Sequence, residues 1–211
     1  MKLADMQVTQ FCDVLASDAP APGGGSTAAL EGALGAALTA MVCGLTTVGK
    51  SREKYAEYQE FVLASQKKAL DLKARFVDVM DRDTEAFNVV SAAFGMPKAT
   101  DEEKAARSAA LQEATLYATQ VPLRTMKTAF GVFEIVRAMA AVGNPNSVSD
   151  AGVGALAARS AVLGAGLNVR INAAGLKDRA AADALVAEAD RLAAEAERAE
   201  REVLEIVASK I

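Results

Sequence analysis

A chain of 211 residues, 52% hydrophobic and 24% charged, is long and apolar enough to bury a core, which excludes wholesale disorder. Its net charge of −4, with no Lys/Arg-rich run, leaves no electrostatic footprint for nucleic acid. The absence of histidine excludes a Ser-His-Asp triad, a Cys-His pair and any histidine-ligated metal, so proton transfer falls to Asp, Glu, Lys, Tyr or Cys.

Aromatic residues make up only 5% and Trp is absent, so the core must be built from Ala, Leu, Val, Ile and Met, which favours closely packed helices. Apolar residues recur at helical spacing nearly throughout, and no period-2 strand stands out. The expected fold is all-α: a single helical bundle over residues 1–211 with a central pair of Ala/Gly-rich helices. The N-terminus has no apolar h-region, and Cys12 and Cys43 form neither a disulfide framework nor a metal set. A reducing cytoplasm is the expected compartment.

In chain order, a short amphipathic helix is predicted over 8–16, followed by an apolar one over 27–48. The second carries only Glu31 as a charge and is long enough to span a membrane. Its richness in Ala and Gly instead marks a core helix, with Gly32, Ala36, Ala40 and Gly44 spaced to admit a close neighbour. Helices over 55–94 and 101–142 follow, the latter kinked at Pro122 with a carbonyl freed. The region from 151 onward holds two helices parted near 172–177; the first, with Gly154, Ala158 and Ala165, is the other member of the central pair. In the last helix Leu185, Leu192, Ala199 and Ile206 recur every seven residues, interleaved with Ala182, Ala189, Ala196 and Val203. That seam either docks on its own bundle or forms a dimer contact.

Five segments carry polar or conformationally special residues. Pro20 and Pro22 stiffen the approach to Gly23, Gly24, Gly25 and Ser26, which run directly into a helix. Free N–H groups at that helix start favour an anion, and the glycines allow a ligand close to the backbone. With no preceding strand the segment is no dinucleotide loop, and with no following Lys it is no Walker A loop. Lys50 follows Gly49, a plausible C-cap, and on spacing alone it is a dipole partner. Asp83 shares a helix side with Phe87, which hints at a half-buried carboxylate among otherwise solvated charges. Residues 143–154 form a polar turn in which Ser147 and Asp150 fit a capping box, while Asn144 and Asn146 offer amides to a heterocycle. Asn168 and Asn172, four residues apart, must hold either a neighbouring loop or a ligand.

Taken together these segments resemble the cyclodeaminase domain of formiminotransferase-cyclodeaminase and its free-standing relatives, which include methenyltetrahydrofolate cyclohydrolases. The resemblance rests on 20–26, 48–50, 83–87, 121–123, 143–153 and 168–172 in the family's order, and covers nearly the whole chain. It implies an all-α homodimer acting on a folate; with the charge pattern and the lack of metal ligands beside it, no cofactor beyond that substrate, no metal and no membrane or nucleic-acid partner is expected. No formiminotransferase domain precedes it in this sequence, which points to the free-standing cyclohydrolases, with cyclodeaminase as the alternative and a non-catalytic dimeric scaffold as the rival of another class. The expected acid-base set is Lys50, Asp83 and Asp150. Gly23, Gly24, Gly25 and Ser26 form a backbone wall, and Asn144, Asn146, Asn168 and Asn172 bond the pterin or the loop that holds it.

Overall fold

The structure is a computed structural model that describes residues 2–211. It contains seven α-helices among the described residues: α1 (Val8–Leu15), α2 (Gly24–Thr47), α3 (Lys50–Lys54), α4 (Gln59–Phe94), α5 (Asp101–Val142), α6 (Val148–Ala173) and α7 (Arg179–Ala208). No strand occurs among the described residues.

Four long helices, α2, α4, α5 and α6, form an up-and-down square, and α7 covers α5 and α6. Small residues set the closest approaches. Along the antiparallel α2/α6 pair a methyl added at Gly35 would come within 2.9 Å of the Gly154 carbonyl, and one at Gly164 within 3.3 Å of Ala28. Gly32 of the predicted small-residue stripe lies under the ring of Phe76 on α4, and Gly44 lies under Gln66. That stripe therefore seats α4, while the α6 contact is one step round the helix at Gly35 and Thr39. Ala36, Ala40, Cys43, Phe76, Met126, Val136, Ala155 and Val162 share one core cluster. Burial pushes the Cys43 thiol up to about 11, which makes it a core residue and no nucleophile.

The helix ends follow local chemistry. Thr100 and Glu103 form a reciprocal capping box at the start of α5. The Asp178 carboxylate accepts from the Ala181 N–H at 3.0 Å and starts α7. Lys210 donates to the Ala140 carbonyl at 2.7 Å, a cation on the carbonyl end of α5. The heptad seam of α7 is spent inside the chain: Ala182, Ala189, Leu192, Ala196 and Val203 are buried, and Arg159 on α6 lies 3.2 Å from Glu200. The seam therefore docks on its own bundle.

α2 and the Pro145–Ala173 stretch are both long and apolar enough to cross a membrane, and half or more of each apolar window is buried in the bundle (56% and 50%). Their outer sides are another matter. Leu34, Met41 and Leu45 on α2, with Val153, Leu156, Leu167 and Ile171 on α6, make an exposed apolar face along the length of the pair.

Candidate active site

Where α2 begins, α4, α5 and α6 also converge, and a cleft of ≈ 300 Å³ opens between them. Its lining includes Gly23, Gly24, Gly25, Asp83, Phe87, Asn168 and Asn172. The sequence places α2 at 27–48, but the helix starts three residues earlier, with Gly23 as its N-cap and Gly24, Gly25 and Ser26 as its first turn. Tertiary contact overrides the poor helix propensity of glycine here. A side chain at Gly25 would overlap the Asp83 carboxylate, and one at Gly24 would touch the Asn168 amide at 3.4 Å. Gly25 is thus there for close approach, and the group that approaches it is the protein's own carboxylate.

Asp83 points inward from α4. Its neighbours do not: Arg82 donates to Asp78 at 2.6 Å on the exposed side, and Asp81 accepts the Leu3 N–H at 2.7 Å. Ser26 has no solvent exposure, and its hydroxyl lies 3.0 Å from Asp83 Oδ2, 3.1 Å from the Met80 carbonyl and 3.3 Å from Thr84 Oγ1. Burial holds the Asp83 carboxyl above the usual carboxylate range, and bonds from the Ser26 hydroxyl and backbone N–H pull it partly back. Ser26 therefore stands behind the carboxylate and is not part of the cleft wall itself.

The two α6 amides have distinct partners. Pro122 lacks an N–H, so the Ala118 carbonyl on α5 loses its helical donor. The Asn172 amide supplies one at 2.8 Å, which ties α6 to the defect in α5 and leaves Asn172 on the cleft. Asn168 donates to the Gly164 carbonyl at 3.0 Å, one turn back in its own helix.

Lys50, Asn144, Asn146 and Asp150 lie at the other end of the bundle. A rise of 1.5 Å per residue separates the two ends of α2 by roughly 35 Å, so within one chain these residues do not meet Asp83. Gly49, read as the C-cap, is instead the turn between α2 and α3, at φ 56°, and exposed Lys50 opens α3. Asn144 organises this end: its backbone N–H donates to Thr46 Oγ1 at 3.0 Å, and its amide donates to the Leu45 carbonyl at 3.1 Å. Its Oδ1 accepts the Asn146 N–H at 3.0 Å, which leaves Asn146 exposed. The expected Ser147–Asp150 capping box does not form. Ser147 donates to the Asn144 carbonyl at 3.0 Å, and Asp150 has no hydrogen-bond or ion-pair partner among the described residues.

The formiminotransferase-cyclodeaminase profile matches residues 7–191. The chain belongs to that family. A methenyltetrahydrofolate cyclohydrolase from Methylorubrum extorquens is 44% identical over 97% of both chains. A formimidoyltransferase-cyclodeaminase from Rattus norvegicus is 36% identical over 83% of this chain, which spans only 31% of the rat protein. A crystal structure of a formiminotetrahydrofolate cyclodeaminase from Thermotoga maritima superposes at a TM-score of 0.85 over 99% of this chain and 98% of its own, at 24% identity. That likeness establishes the all-α fold. The segments behind the resemblance fall at the two polar ends of the bundle or at Pro122 within α5.

Proposed function

We propose that the chain is a methenyltetrahydrofolate cyclohydrolase, hydrolysing 5,10-methenyltetrahydrofolate reversibly to 10-formyltetrahydrofolate. The observation that carries this reading is Asp83: a lone carboxylate in a cleft otherwise lined by glycines, amides and apolar groups, with its proton affinity raised. The substrate carbon bridging N5 and N10 is part of an amidinium cation, which a buried carboxylate attracts. Asp83 takes a proton from water as the oxygen bonds to that carbon, giving a neutral tetrahedral adduct. The C–N5 bond then breaks, Asp83 returns its proton to N5, the hydroxyl proton leaves to solvent, and the formyl group stays on N10. Water addition to such a cation asks for a base, and no metal enters the proposal. The identity and coverage of the Methylorubrum relative favour this reaction over cyclodeaminase chemistry, which would use the same carboxylate.

The working unit we propose is a cytoplasmic homodimer built on the apolar α2/α6 face. A twofold axis across the middle of that face lays α2 antiparallel to its mate. The Lys50, Asn144 and Asp150 end of one copy then meets the Asp83 cleft of the other. A cleft of ≈ 300 Å³ takes the fused-ring head of a folate, and the partner's polar end would close over it. Lys50 would orient the water or the leaving nitrogen.

Loss of the methenyl absorbance on adding purified protein is the expected result. Ammonia release from formiminotetrahydrofolate, without methenyl hydrolysis, would move the assignment to cyclodeaminase. Inertness towards both, with no folate bound, would leave a helical scaffold.

A further inference from the structure

We propose that Ser26 is a positioning residue for the reaction, holding the ionised Asp83 carboxylate through Oδ2 so that Oδ1 is the oxygen that takes the proton. The inference rests on the cyclohydrolase reading and adds a residue to it. Three observations converge. The Ser26 hydroxyl is wholly buried and lies 3.0 Å from Oδ2, so that oxygen is already engaged. Both carboxylate oxygens lie over Gly25, where no side chain stands, and Oδ1 is the nearer to that glycine, whose backbone lines the cleft. A hydroxyl has one proton to give, and Ser26 has a second acceptor in the Met80 carbonyl at 3.1 Å.

These distances allow both states of the carboxyl to be satisfied with no heavy atom moving. While Asp83 is ionised, the charge-assisted bond to Oδ2 is the stronger one and takes the hydroxyl proton. Once Asp83 holds a proton, that assistance is gone and the hydroxyl turns to Met80. The carboxylate therefore cycles between base and acid inside a fixed frame, the preorganisation that a proton shuttle requires. Within one chain, no other charged side chain among the described residues lines the cleft. Among the described residues lining the cleft, α2 contributes glycines, α5 Ala118 and α6 two asparagines. On α4 itself Arg82 turns away to Asp78 and Asp81 is held by Leu3.

The test is Ser26→Ala, read in two ways. In ligand-free protein, carboxyl carbon-13 NMR should show Asp83 titrating at higher pH, because a bond favouring its ionised form is gone. In turnover, the acidic limb of the pH–rate profile should move the same way, and kcat should fall roughly tenfold at neutral pH with KM nearly unchanged. An unshifted titration together with an unshifted limb overturns the proposal. Should Ser26→Ala fail to fold, Ser26→Cys, close in size and a weak donor, takes its place with the same readings. The NMR titration needs no folate. A chain inert to folates with a shifted Asp83 would defeat the cyclohydrolase reading, while a hydrolase with an unmoved Asp83 would defeat only this one.

Discussion

Asp83 sits at odds with stability. Its folded-state proton affinity is raised by burial, so the fold favours the protonated acid over the carboxylate. The sign follows from linkage: the associated stability is complete below the unfolded carboxyl's pKa and is lost as pH rises through the raised folded value. At neutral pH the native protein therefore holds a charge it would be more stable without. Asp83→Asn should lower turnover by about 10²–10⁴-fold and yet melt higher than the parent protein at neutral pH. The gap should close as the pH is lowered and the parent's Asp83 becomes protonated. Thermal melts of the two proteins across pH check this, and a variant less stable than the parent at neutral pH would count against it. Little of this was legible in the sequence. Four charges in five residues at 81–85 read as a solvated face, and only the i, i+4 spacing to Phe87 hinted that one of them turned inward. Ser26 was legible as a member of a ligand-facing segment, but its place behind Asp83 depends on how α4 crosses α2, which no local pattern encodes.

The helices themselves were readable because their apolar periodicity is long and unbroken, and the seven-residue seam of α7 resolved as packing on its own bundle. The start of α2 is not legible because three glycines favour a loop on propensity alone; in the fold they form the N-cap and first turn, with Gly25 against Asp83. Pro122 and Asn172 show a split signal. The freed carbonyl in α5 and the amide in need of a partner were each visible in sequence, but their meeting across α5 and α6 was not. That pairing is a testable unit. Asn172→Leu should destabilise the protein by about 1 kcal/mol or more, since it strands the Ala118 carbonyl. In a Pro122→Ala background the helix supplies its own N–H to that carbonyl, so the same change should cost less. A denaturation double-mutant cycle measures the difference, and additive costs would mean that the amide is not there for the proline.

At the scale of the whole molecule the expected residues fall into two groups, Asp83 with the glycine turn at one end and Lys50, Asn144, Asn146 and Asp150 at the other. The sequence gathers both into one set because each adjoins the same central helix pair, and linear order does not reveal that α2 and α6 span the full length between them. The antiparallel dimer proposed across the exposed apolar face would reunite the two groups, and it yields a prediction that neither a monomer nor a dimer with self-contained sites shares. Lys50→Met and Asp83→Asn should each be inactive as a homodimer. If the site takes its carboxylate from one chain and its lysine from the other, a mixed dimer has one site with both groups intact and one with neither. Unfolding and refolding the two variants together in equal amounts should therefore restore about a quarter of parental turnover, because half the dimers are mixed and each has one working site of two. Activity measured before and after co-refolding, with sedimentation to establish the dimer, decides the point. An active Lys50→Met homodimer would return the lysine to the ordinary surface of α3, and no recovery from inactive variants that refold and dimerise normally would overturn the shared site.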